Sequence, residues 1–381
     1  MKACFVFFLL ALTFFPGLKG QGNDVVVNMV GYKELMIPSA FGRKPYFSDF
    51  QYYNELAGTW IVDKKSNSIS RFIGSERNPS LRWDFANTKL GEVRTFFIHN
   101  QDSVLIYSKN SNFARQISWY KPTSGQVDSF NYTGNLKFPG LNTREMSDWE
   151  TMYAASSSPV QIHDGKVVAC LLPYVALDET PNKPKSIVSM MDKNGDHFEK
   201  LPICHPESYR KNAVGTSRST VYITICGDSL ITSFAGSADL LIWKFSVRQL
   251  DTLTVSVPGI KMDHAIGVDT TISVVEDLIT RGYYGRMFFH PWLGLFMRVV
   301  YLPTALLDPQ TFLFTSFEER NACLFLWDRQ FNAKQFVMLP KGADDRNAYC
   351  TPTGFEILCP GLTVTDSVHH KLSYARYEIH N

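Results

Sequence analysis

Arg94, Arg218, Arg286 and Arg346 each stand just ahead of a short apolar stretch: "TFFIH", "STVYITI", "MFFH" and "NAYC". A guanidinium keeps its charge at any physiological pH and presents a planar fork of donors that matches a carboxylate or a phosphate. If the four stretches are equivalent strands of a repeated unit, their starting ends converge. The arginines would then form a concave, positive, ligand-binding site for an anionic group. The competing reading pairs each arginine with a nearby acid such as Glu92, Asp344 or Asp345. Arg298 is a separate case, a lone charge in the apolar run Leu295 to Leu302. It is expected to be buried and partnered, and to serve structure rather than ligand contact.

The other chemistry-bearing residues compose no reaction motif. Ser237 in "FAGSADL" lacks the G-x-S-x-G elbow of a nucleophilic serine. "DKNGD", Asp192 to Asp196, matches the first half of a calcium loop but lacks its distal Glu, and Asn-Gly is a preferred hairpin turn. His163-Asp164-Gly165 reads as a hairpin apex. His369 and His370 are neighbours in a strand, so they point to opposite faces and cannot share a metal. Asp148, Glu150, Asp344 and Asp345 fall near expected strand starts, where a glycosidase-like pair could act. Position alone does not separate them from solvated loop charges. No catalytic residue, metal or cofactor is therefore expected.

The elements that must position the arginines are strands. The 381 residues are 45% hydrophobic and carry 28 Phe, 17 Tyr and 7 Trp, a bias towards pleated surfaces that flat rings pack well. A formal charge of +2 with no basic stripe excludes a nucleic-acid binder. Residues 1–20, "MKACFVFFLLALTFFPGLKG", have Lys2, an apolar run from Cys4 to Phe15, then Pro16 and Gly17. This is the layout of a secretory signal with cleavage after Gly20, and the run is too short to span a membrane. Cys4 precedes the run, so no lipid anchor is expected. Residues 21–381 then form one exported domain, periplasmic or at the cell surface.

"YYGRMFFHPWLGLFMRVVYLP", Tyr283 to Pro303, reads as two strands around a turn at Pro291 to Gly294, covered on both faces. Similar hairpins start at Gly58, Ser103, Ser186, Asp239 and Cys323, and further ones at Pro159 and Ser219. Units near Pro159, Ser219, Tyr283 and Ala348 recur about every 60 residues, the spacing of propeller blades. The fold class is all-β: a β-propeller of six blades, with seven as the alternative. Its last blade is one strand short, and "NDVVVNMVGY" is expected to supply that strand and close the ring. Of the six cysteines after residue 20, Cys350 and Cys359 are the best disulfide candidates, if a turn at Gly354–Phe355 sets them opposite each other. Cys170, Cys226 and Cys323 lie in apolar strands and read as core residues.

The signal ending "LKGQ", the blade hairpins and "FFHPWLGLFMRVVYLP" resemble a family of exported six-bladed propellers of Bacteroidetes, TolB-like in architecture and of unknown function. That family's late strand pair has the form "hYDphhnhYYRhhY", with h apolar. Here Phe289 and His290 replace the YD, and Phe296 and Met297 replace the Tyr pair. The resemblance spans nearly the whole chain after the signal and carries no catalytic residues with it. An all-β repeat with aromatic-rich loops and no reaction motif points to a non-catalytic binding or interaction protein, holding a glycan or other anionic ligand at the channel mouth. The alternatives are a carbohydrate-active propeller enzyme and a structural component of an envelope complex with a protein partner.

Overall fold

Short apolar strands broken by polar turns cannot bury both faces within one sheet, so the sheets must stack on one another. In the computed structural model they do so as a six-bladed β-propeller of antiparallel sheets. The structure describes residues 25–38, 47–51, 57–74, 78–88, 90–109, 115–130, 150–153, 158–173, 186–192, 197–206, 220–257, 279–307, 314–315, 319–362, 364–365 and 369–380. The expected signal at residues 1–20, Arg218 and the expected Asn194–Gly195 turn lie outside them. Among the described residues helix is nearly absent, and none is long and apolar enough to cross a membrane.

Blade 1 runs outward through Phe47–Gln51, Gly58–Asp63, Ser68–Phe72 and Leu81–Asp84. Blade 2 uses Glu92–Asn100, Ser103–Lys109, Arg115–Lys121 and Gln126–Phe130. In blade 3, Glu150–Tyr153 and Gln161–His163 both pair with Lys166–Pro173, followed by Val188–Asp192 and Glu199–Lys200. Blade 4 is Val221–Cys226, Ser229–Phe234, Ser237–Lys244 and Gln249–Thr254. Blade 5 is Tyr283–His290, Leu295–Tyr301, Ala322–Trp327 and Ala333–Leu339. Blade 6 is Asp344–Thr351, Gly354–Leu358 and His369–His380, with Val26–Pro38 from the N-terminal end of the chain as its outermost strand.

That last pairing closes the ring. Val26 faces His380 and Pro38 faces His369, so one blade is built from both ends of the described chain. Lys33 of the closing strand reaches Glu356 of blade 6 at 3.2 Å and Thr59 of blade 1 at 2.6 Å. Apolar clusters occupy the interfaces between successive blades, from Trp60, Trp83 and Phe96 between blades 1 and 2 round to Leu35, Ile61 and Tyr349 between blades 6 and 1. Being covered on both sides is why Tyr283–His290 and Leu295–Tyr301 tolerate almost no exposed residue.

Two hairpin expectations hold in detail. The Tyr283 to Pro303 stretch turns where expected, with the Gly294 N–H donating to the His290 carbonyl at 2.8 Å. Asp164 and Gly165 form a two-residue turn with φ of +46° and +72°, the left-handed conformation that a tight hairpin needs. The repeated hairpins do not, however, occupy equivalent places. Those at Gly58 and Ser103 join second and third strands, whereas those at Ser186, Asp239 and Cys323 join third and fourth.

The cysteine pair needs correction. The turn falls at Pro352–Thr353, two residues earlier than required, so Cys350 faces Phe355 while Asp344 faces Leu358. Cys359 lies beyond the far end of the hairpin, and all six described cysteines are free thiols. Cys170 and Cys323 are core residues, with burial pushing both thiols up to about 12.

Candidate functional site

The first strand of each blade lines the central channel, which holds a cavity of about 410 Å³. Its wall takes Asp49 from blade 1, Phe96 and Phe97 from blade 2, Gln161 from blade 3, and Ile223, Thr224 and Ile225 from blade 4. Blade 5 contributes Arg286, Met287, Phe288 and Phe289, with Pro291 and Trp292 from the following turn; blade 6 adds Tyr349 and Cys350. A volume in the range of roughly 300–1,000 Å³ with mostly apolar walls and a few convergent polar groups is the usual make-up of a small-molecule site. Trp292, 40% exposed, stands in the turn at one end of the channel wall.

Arg286 reaches the channel because its strand is irregular. The pairing of Tyr283–His290 with Leu295–Tyr301 skips from Tyr284 to Met287, which puts Gly285 and Arg286 in a bulge. The neighbouring inner strand skips from Asp344 to Ala348, which puts Asp345, Arg346 and Asn347 in another. Bulges re-aim side chains. Here the two interlock: the Asp345 carboxylate accepts the Arg286 backbone N–H at 2.6 Å and the Tyr301 hydroxyl at 2.9 Å. A Cβ on Gly285 would stand 2.6 Å from the same carboxylate, so only glycine leaves room for this approach.

The Arg286 side chain is buried, 4.5 Å above the Phe288 ring, and donates to the Ala348 carbonyl at 3.4 Å. Burial pushes its pKa down, and the charges of Asp49 and Asp345 hold it up. Asp345 is itself pushed up, first by burial and then by the charge of Asp344, with the Arg286 N–H and Tyr301 hydroxyl opposing.

The four arginines of the sequence pattern are placed differently. Arg286 lines the cavity. Arg94 also sits in a bulge, between Val93 and Thr95, and pairs with Glu92 at 2.8 Å. Arg346 grips Asp344 through two bonds of 2.8 and 2.9 Å, which raise its pKa, and its side chain is half exposed. Neither is on the cavity wall. Arg218 lies outside the described residues. Arg298 is buried and partnered as expected: it donates to the carbonyls of Phe234 at 2.8 Å and Ser237 at 3.4 Å, 4.0 Å above the Tyr284 ring. Among the described residues no cluster of His, Cys, Asp and Glu could hold a metal ion.

Reading by sequence missed Asp49 and Trp292. Asp49 is the one acid in "YFSDFQYY", a lone charge in an aromatic strand, and that contrast was the available signal. Trp292 reads only as part of the "HPWLG" turn, and nothing in that turn says which way it faces.

No protein-family model matches the chain, and no curated protein matches it in sequence. Among solved structures, a DUF4221 family member from Bacteroides vulgatus ATCC 8482 superposes with a TM-score of 0.72 at 12% identity, over 94% of this chain and 99% of that one. Regucalcin from Agrobacterium tumefaciens gives 0.43 at 7% identity, covering 92% and 96%. Virginiamycin B lyase from Staphylococcus aureus gives 0.42 at 11% identity, covering 90% and 99%. At these identities the likeness concerns fold alone. The chain has the six-bladed propeller fold of the Bacteroides protein, which fits the Bacteroidetes propeller family of unknown function that its sequence resembles.

Proposed function

We propose that this is an exported, non-catalytic binding propeller that holds a small glycan or anionic ligand in its central channel. The observation that carries the reading is the channel cavity, where one buried arginine and one aspartate stand among aromatic walls. A pocket of that make-up gains affinity from apolar burial and orientation from its few polar groups. The apolar run after Lys2 supports export, to the periplasm or the cell surface. Of the four arginines, Arg286 is the one we assign to ligand contact; Arg94 and Arg346 hold their own strand starts through Glu92 and Asp344.

The test is a ligand-observed NMR screen of a mixed library of sugars, amphipathic carboxylates and amino acids. Wild-type protein is compared with Trp292→Ala, which alters the channel wall at an exposed position. Binders lost in the variant and recovered unchanged after a day with the protein support the reading. Binders converted to product would favour the carbohydrate-active enzyme. A library in which nothing binds at the channel would leave the envelope-partner role and overturn ligand binding.

A further inference from the structure

We propose that the channel ligand is a neutral sugar of one or two rings, gripped through its hydroxyls by Asp49 and Arg286 and covered on its C–H face by aromatic side chains. The inference rests on the channel reading above and narrows it. It starts from charge. Asp49 and Arg286 are the two ionised side chains on the cavity wall, and they are of opposite sign. The Asp49 charge is felt by Arg286 and by the Cys350 thiol on the same wall, whose pKa is raised first by burial and then by that charge. Asp345, immediately behind the wall, adds a second negative charge acting on Arg286. The cavity therefore offers no net positive field. An entering anion would gain from the guanidinium and be opposed by the two carboxylates.

Hydrogen-bond chemistry points the same way. Arginine only donates and ionised aspartate only accepts. A carboxylate ligand can satisfy the first alone, and an ammonium the second alone. A hydroxyl both donates and accepts, so it can contact the Arg286 guanidinium and the Asp49 carboxylate at once. Gln161 and Thr224 on the facing wall likewise both donate and accept. A pyranose alternates a rim of such hydroxyls with flat C–H faces, and Phe96, Phe288, Phe289 and Trp292 supply apolar rings for those faces.

The experiment is calorimetric titration of the full mature chain with maltose and cellobiose, and separately with digalacturonate, at 50 and 500 mM NaCl. Maltose or cellobiose should bind with an affinity that changes less than about twofold between the two salts, because no net charge is being screened. Digalacturonate should bind at least tenfold more weakly. Asp49→Asn keeps shape but loses the ionic acceptor, and should weaken the neutral sugar at least tenfold while strengthening digalacturonate. Trp292→Ala should weaken both. Tighter, salt-sensitive binding of digalacturonate would overturn the neutral-sugar inference. So would binding of neither sugar while another library class still binds in a Trp292-dependent way, and that result would leave the channel reading standing. A neutral sugar that binds equally well to wild type, Asp49→Asn and Trp292→Ala would remove both.

Discussion

Blades 1 and 2 meet through rings, whereas blades 5 and 6 add buried charges to an apolar contact such as Phe288 on Phe355. Between the first pair, Trp60 lies 4.6 Å from Trp83 and 6.1 Å from Phe96, and Phe85 meets Tyr120 edge-on at 5.0 Å. The buried polar groups there are mostly hydroxyls, and the buried Asp63 accepts N–H groups within its own hairpin turn. Around blades 5 and 6 the buried set includes Arg286, His290, Arg320, Asp344, Asp345 and Glu356, with Arg298 on the side of blade 5 that meets blade 4. Each of these needs a partner in a set direction, because a buried charge or donor left alone is penalised far more than a missing contact between rings. The first interface holds the ring shut by volume. The second holds two bulges in register and so decides where Arg286 points.

The largest effects should come from truncation on either side of this contrast. Trp60→Ala should lower unfolding free energy by about 3–5 kcal/mol in denaturant titrations, and Arg298→Ala by about 2–5 kcal/mol through the cavity it leaves and the donor it removes. The variants of similar bulk separate the two regions. Trp60→Phe should recover most of its loss. Arg298→Met restores packing but leaves the Phe234 carbonyl without its donor, and should stay about 1–3 kcal/mol below wild type. Wild-type stability in Arg298→Met would erase the distinction.

Next in size is a pH effect. His290 is buried, with its Nε2 against the Gly354 carbonyl at 3.1 Å and its Nδ1 accepting the Leu293 N–H at 3.2 Å. That arrangement requires the neutral ring, and burial lowers its pKa to about 4. An unfolded imidazole titrates near pH 6.5. The folded value is the lower one, so the stabilisation is complete above pH 6.5 and is lost as pH falls from 6.5 towards 4. On the order of 2 kcal/mol should disappear over that window. His290→Gln should flatten the part of the melting-temperature profile that belongs to this ring, leaving the part from His205, also lowered to about 4 by burial.

Tyr301→Phe removes the hydroxyl shared by Asp345 and the Ala343 carbonyl, and should lose about 1–2 kcal/mol by chemical denaturation. It should also weaken ligand binding, since Asp345 orders the bulge that carries Arg286. The smallest change is expected from Arg346→Gln. Its pair with Asp344 is half exposed on the arginine side, so at most about 1 kcal/mol is at stake. Ligand affinity should not move. A large loss of binding in Arg346→Gln would restore the arginine ring as a unit.

The fold was more legible than the site because the two are written at different scales. Propeller architecture follows from repeated strand and turn patterns, and these survive local irregularity: "NDVVVNMVGY" was readable as the missing strand because the last blade was short. The placement of hairpins within blades was less legible, since a hairpin of second and third strands has the same pattern as one of third and fourth. The site depends on extra residues in the pairing, one in blade 5 and three in blade 6. Gly285–Arg286 and Asp345–Asn347 turn side chains by amounts that no alternation of apolar and polar residues records. Cys350 is kept from Cys359 by the position of the turn, which falls two residues earlier than their pairing would need. An arginine ahead of a strand was therefore a usable marker of three bulged strand starts, and not of which guanidinium faces the channel.

A crystal structure of the protein soaked with the tightest-binding library compound tests the central claim most directly. The account predicts density inside the channel, with ligand oxygen atoms about 3 Å from both the Asp49 carboxylate and the Arg286 guanidinium and an apolar face against the aromatic wall. Density on an outer blade edge or on the half-exposed Arg346, with the channel cavity unchanged, would contradict it.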